Sequence, residues 1–125
     1  MARLGELERK VMDVLWADVE TEATVRDVEA QLPQYAYTTL LTILDRLDRK
    51  GVVRRRKVGR AFHYSAVSSR EEYTAQLLQE VLDAAPDRNA VLARFAETVT
   101  VEEAAVLRSA LGDAGTARPG HEGRR

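Results

Sequence analysis

Residues 37–67 run YTTLLTILDRLDRKGVVRRRKVGRAFHYSAV, and a change of period inside this stretch decides the fold. Over 37–50, Leu40, Ile43, Leu44 and Leu47 recur at the i, i+3, i+4, i+7 spacing of one helix face. Tyr37 or Thr38 marks the start of that helix, and Gly51 is its left-handed stop. Beyond Gly51 the pattern becomes that of strands. Val52 to Val58 and Ala61 to Val67 form a pair, with Gly59 supplying the positive φ of a tight hairpin turn. Phe62 and Tyr64 fall on one face of the second strand, His63 and Ser65 on the other.

Working outward, the upstream residues Leu4, Leu7, Val11, Val14 and Leu15 predict an amphipathic helix over 5–17, with Trp16 as a packing residue. Thr24-Val25-Arg26-Asp27 carries a capping signal, followed by the apolar face Val25, Val28 and Leu32 and a stop at Pro33. Three helices followed by a basic hairpin, within 70 residues, is the plan of a winged helix-turn-helix. The expected fold class is therefore mainly α with a small β-hairpin: a winged-helix DNA-binding domain over 1–68, then a helical segment.

That segment opens on a capping box, Ser69-Arg70-Glu71-Glu72, with a helix over 69–84 that turns Tyr73, Leu77, Val81 and Leu82 inward. Ala85-Pro86-Asp87 breaks it, and a short helix carries Val91, Leu92 and Phe95. Thr100 caps a last helix with Ala104, Leu107 and Leu111, ended by Gly112. About 45 residues is close to the lower limit for an independent core, so these faces require a partner. A second copy is the simplest one. Residues 69–112 are thus expected to be a helical dimerisation region, with Tyr73, Leu77, Val81, Leu92, Phe95, Leu107 and Leu111 at its seam, and 113–125 a disordered tail.

The net charge of −1 hides an uneven distribution. Residues 1–66 carry 12 Lys/Arg against 10 Asp/Glu, whereas 67–125 carry 7 against 10. Within 46–60 stand eight basic residues (Arg46, Arg49, Lys50, Arg54, Arg55, Arg56, Lys57, Arg60) and one acid, Asp48. Such a run is either a solvated face or a surface for a polyanion, and its place directly after a helix favours the polyanion. The side of helix 37–50 opposite its core face carries Thr38, Thr42, Asp45 and Arg49, flanked by Leu41 and Arg46. Short hydrogen-bonding groups of this kind suit a helix lying in the major groove, with Leu41 toward a thymine methyl. Asp45 fits there as an acceptor for a cytosine amino group or as the partner of Arg49 one turn on. Lys50, Arg54, Arg56 and Arg60 are the expected phosphate contacts. Thr39 and His63 complete the DNA-facing set; His63 reads equally as a plain edge residue.

Other function classes find little support. The chain has no cysteine, so it has neither disulfides nor thiolate metal ligands. No stretch approaches the ~20 apolar residues of a membrane span, and the start carries no signal-peptide pattern. A cytoplasmic location without direct membrane binding is expected. Of the two histidines, His121 lies in the expected tail, and no catalytic constellation, metal cluster or phosphate-binding glycine motif is present. Neither enzyme activity nor a cofactor is expected. The carboxylate pairs Glu71-Glu72 and Glu102-Glu103 sit in first helical turns, where the helix dipole accounts for them.

Several of these residues form one longer pattern: Glu8-x-x-Val11-Met12-x-x-Leu15-Trp16, Thr24-Val25-Arg26-x-Val28, Tyr37-Thr38-Thr39-Leu40-x-Thr42-x-Leu44-x-Arg46-Leu47-x-x-Lys50-Gly51, and Tyr64. Across residues 4–112 the chain resembles the penicillinase-repressor family of BlaI/MecI-like regulators, with the copper-responsive CopY repressors as cousins. The resemblance implies a homodimer that represses β-lactamase or related genes from a palindromic operator. It also implies relief by proteolysis through a membrane sensor metallopeptidase. The family's cleavage point, an Asn-Phe bond, falls by position on Arg94-Phe95: Phe95 matches, and Arg94 replaces the asparagine. Phe95 also reads as a core residue of the dimer helices. The metal hook of the CopY branch needs cysteines, which this chain lacks. Two rival readings are a winged-helix protein-interaction module and a repressor released by a small-molecule ligand.

Overall fold

The computed structural model describes residues 3–113. Its elements, in order, are α1 (Glu6–Ala17), α2 (Val25–Gln31), α3 (Tyr37–Arg49), β1 (Val53–Val58), β2 (Ala61–Ala66), α4 (Arg70–Ala84), α5 (Arg88–Ala96) and α6 (Val101–Asp113). They fall into two compact units that divide between Val81 and Leu82, within the last turn of α4.

The first unit is the winged helix. Val11, Met12 and Leu15 of α1, Val28 of α2, and Leu40, Leu44 and Leu47 of α3 are buried together, joined by Val52, Val53 and Tyr64 from the hairpin. Burying the α3 stripe against α1 and α2 leaves its opposite side to solvent. The end of α3 is a Schellman motif: Gly51 stands at φ +77°, its amide donates to the Asp48 carbonyl (3.0 Å), and the Val52 amide donates to the Leu47 carbonyl (3.1 Å). This turn delivers the chain straight into β1.

β1 and β2 pair antiparallel in the register Val53↔Ala66 to Val58↔Ala61, closed by Gly59 at φ +62°. Ala23 adds a single bridge to Tyr64 on the other edge, through amide-to-carbonyl bonds of 2.9 and 2.8 Å. The loop before α2 is thereby tied to the hairpin. Sequence patterning misses this bridge because one isolated pair has no period.

The two expected capping boxes form, and Thr100, expected only as a cap, makes a third with Glu103. Thr24 Oγ1 accepts from the Asp27 amide and Asp27 accepts from the Thr24 amide; Ser69 with Glu72 and Thr100 with Glu103 repeat the arrangement. Asp87, expected only to break the chain, caps α5 through a bond from the Ala90 amide.

α3 starts at Tyr37 as expected, preceded by Ala36, which is extended at φ −72° and ψ 151° and lacks a side-chain cap. Two expectations change. α6 continues through Gly112 to Asp113, since Gly112 is not in the left-handed conformation that would end it. Tyr73 is not on an open seam: it is buried in the first unit, its ring 5.5 Å from that of Trp16. The Trp16 indole donates to the Ser68 carbonyl (3.0 Å), and Arg70 pairs with Asp13 (3.0 Å), so the start of α4 is pinned to α1.

The second unit contains α5 and α6. Neither helix has a buried residue, and Leu92, Phe95, Val106, Leu107 and Leu111 are all exposed. The expected tail lies outside the described residues, apart from Asp113 in α6.

Candidate nucleic-acid interface

The outer side of α3 places Thr38, Thr39, Thr42, Arg46 and Arg49 in solvent, with Leu41 and Asp45 half-buried at its margins. Thr42 Oγ1 donates its proton to the Thr38 carbonyl (3.0 Å), which leaves the hydroxyl's lone pairs as its outward hydrogen-bonding capacity. Arg46 has no ion-pair partner among the described residues. Arg49 lies 3.9 Å from Asp45, an exposed and loose pair.

The hairpin sorts its cations by the pleat. Arg55 and Lys57 share a face with Tyr64 and Phe62, while Arg54 and Arg56 share the other with His63 and Ser65. On the outer face Arg56 Nε donates to both carboxylate oxygens of Glu22 (2.9 and 2.8 Å), a bond that holds the Glu22 carboxyl below its ordinary value. His63 is half-buried opposite Arg56. Arg54, Lys57 and Arg60 have no ion-pair partners among the described residues, and all three are exposed.

Lys50 is turned inward: its ammonium bonds Glu8 Oε1 at 2.8 Å, where the carboxylate side chain is 6% exposed. Burial pushes the Glu8 carboxyl up, but the Gly5 amide and Lys50 outweigh it and leave it below its ordinary value. Glu8 and Lys50, distant in the sequence pattern, are thus partners that join α1 to the end of α3.

The eight-cation run therefore divides into internal partners (Lys50, Arg55, Arg56) and residues open to a polyanion (Arg46, Arg54, Lys57, Arg60), with Arg49 between. Arg55 lay outside the expected contact set. Strand alternation, extended from β2 to β1, would have placed it beside Tyr64. Near the start of α2, Arg26 covers the Tyr37 ring at 4.4 Å, a contact between α2 and α3 that no local pattern announces.

The residues expected at a dimer seam divide between the two units. Tyr73 is buried, Leu77 is packed against the first core, and Val81 is exposed; Leu92, Phe95, Leu107 and Leu111 are exposed in the second unit. The Arg94-Phe95 bond lies inside α5, with the Arg94 side chain 84% exposed.

An open cleft lined by Val14, Leu15, Asp18, Glu22 and Asp27 lies between α1 and α2. Its carboxylates are already engaged by Thr21, Arg56 and Thr24. No group of described residues is clustered to hold a metal ion, and no described helix is long and apolar enough to cross a membrane.

Comparison with known proteins supplies the family. A model of the penicillinase repressor family matches residues 4–113. The transcriptional regulator BlaI of Mycobacterium tuberculosis, in strains CDC 1551 / Oshkosh and ATCC 25618 / H37Rv, is 42% identical over 119 residues, covering 90% of this chain and 86% of the relative. Among solved structures, a MarR family protein from Bacillus stearothermophilus matches at TM-score 0.49 and 18% identity, over 91% of this chain and 74% of its own. Streptococcus pneumoniae FabT in complex with DNA matches at 0.47 and 20%, over 88% and 72%.

Proposed function

This chain belongs to the penicillinase repressor family, a family of transcriptional regulators and not of enzymes, and from that premise we propose that it is a cytoplasmic, homodimeric repressor of β-lactamase or other β-lactam-response genes. α3 enters the major groove of a palindromic operator, and the wing lies on the flanking phosphates. The observation that carries this reading is the outer side of α3: hydroxyls and guanidinium groups on a helix locked from behind, beside wing cations that have no ion-pair partner among the described residues.

Residues 1–68 form the DNA-binding part and 69–112 the dimerisation part, with α5, α6 and the exposed side of α4 supplying the seam. Leu92, Phe95, Leu107 and Leu111 find in a second copy the burial that their own helices do not provide. A membrane sensor metallopeptidase relieves repression by cleavage at Arg94-Phe95. Because that bond sits within a helix, cutting requires α5 to open locally first.

Selection of genomic fragments by the purified chain, followed by sequencing, tests the proposal. A shared palindrome near β-lactam-response genes is the expected product. Fragments with no common element, bound without salt dependence, would leave a protein-interaction module as the better account.

A further inference from the structure

Arg55 stands on the inner face of β1 but reaches back to α3. Its Nη1 bonds Asp45 Oδ1 at 2.8 Å, its Nε lies 3.6 Å from Asp48 Oδ2, and its guanidinium covers the Phe62 ring at 4.2 Å. One side chain thus touches the recognition helix at two successive turn positions and both strands of the wing. It packs above Tyr64, the residue opposite it in the register, whose hydroxyl is buried without a well-formed hydrogen bond. A planar five-donor group suits this role; a lysine offers neither the fork nor the stacking face.

The position of Asp45 gives the contact its consequence. A carboxylate on the DNA-facing side of α3 would repel phosphates, yet here one oxygen is held by Arg55 and the other faces Arg49 loosely at 3.9 Å. We propose that Arg55 is a positioning residue for operator recognition: it fixes the wing against α3 and neutralises Asp45, without itself being a phosphate contact. This rests on the reading of α3 as the recognition helix. It separates Arg55 from Arg54 and Arg60, whose side chains have no ion-pair partner among the described residues.

The test compares wild type, Arg55→Ala, Arg55→Lys, Asp45→Ala and the Arg55→Ala/Asp45→Ala double variant. Each is titrated against a duplex carrying the palindrome selected by the wild type, and against a random duplex of equal length. Arg55→Ala should weaken palindrome binding about tenfold, and the double variant should lie within about twofold of it, the non-additivity of residues acting through one contact. Binding to the random duplex should fall less than binding to the palindrome, and the slope of affinity against salt should stay near wild type. Arg55→Lys should rescue little. Losses that add, together with a salt slope reduced as for a lost phosphate contact, would overturn the proposal.

A DNA-free arm separates the two readings. Amide hydrogen exchange across 53–66 should accelerate in Arg55→Ala, and unchanged exchange would also overturn the clamp. If exchange accelerates but wild type prefers no sequence, the operator reading fails and the positioning role falls with it, while the wing-to-helix contact itself stands.

Discussion

Lys50 and Glu8 make the sharpest case at the scale of single residues. Lysine beside a run of arginines invites assignment to phosphate, but its ammonium is the partner of a carboxylate with a side chain 6% exposed. Removing the lysine leaves that charge buried with the Gly5 amide as its remaining donor. Lys50→Met should therefore destabilise the fold by about 2–3 kcal/mol in urea unfolding, with Glu8→Gln added recovering part of the loss. The sign of the pH effect follows from the lowered carboxyl. Its contribution is complete above the ordinary value of 4.5 and disappears as pH falls through the lower folded value, so Glu8→Gln should flatten the acid side of the stability profile. On the DNA side, Thr42→Ala and Arg46→Ala should each weaken specific binding by about 1–3 kcal/mol if they meet base edges. Equal losses on operator and random duplex, read by anisotropy titration, would make them backbone contacts.

At the scale of elements, α3 and the hairpin are the parts most fully announced by the sequence, because each has a strong period and a glycine at its end. Gly51 bears the larger structural duty. No atom lies within 4 Å of a Cβ placed there, so Gly51→Ala isolates the cost of holding an alanine at φ +77°. That cost should be about 1–2 kcal/mol in thermal unfolding, with dimerisation unaffected. What the sequence conceals follows from the same physics. The Ala23 bridge is one residue long; the Glu8–Lys50 pair spans 42 positions; the Asp87 cap follows a proline that reads first as a breaker. Tyr73 has the spacing of a seam residue, and its helix phase alone does not say which neighbour it meets. The candidate interface was legible as a charged region, but not in its division between paired and open cations. Period 2 gives each side chain a face; only the folded neighbours say which faces hold an acid.

For the whole molecule, the open cations and the exposed helices must act together if two readers serve one operator. Each chain offers Arg54, Lys57 and Arg60 to phosphates, none with an ion-pair partner among the described residues, so a dimer on a full palindrome should release counterions with a slope of about −5 in log K against log salt. A lone protomer on one half-site should show about half that value. Leu107→Asp joins the two quantities. Leu107 is 47% exposed on α6 and makes no part of the winged-helix core, so the substitution leaves the reader folded. A carboxylate in an apolar seam is costly unless it is paired, and two-fold symmetry brings every substitution in twice. Sedimentation should then find monomers at concentrations where wild type is dimeric, and the salt slope on the full palindrome should fall by about half. A variant that sediments as a dimer would place the seam away from α6. One that is monomeric yet keeps the full slope would show that the two protomers contact the operator without needing each other.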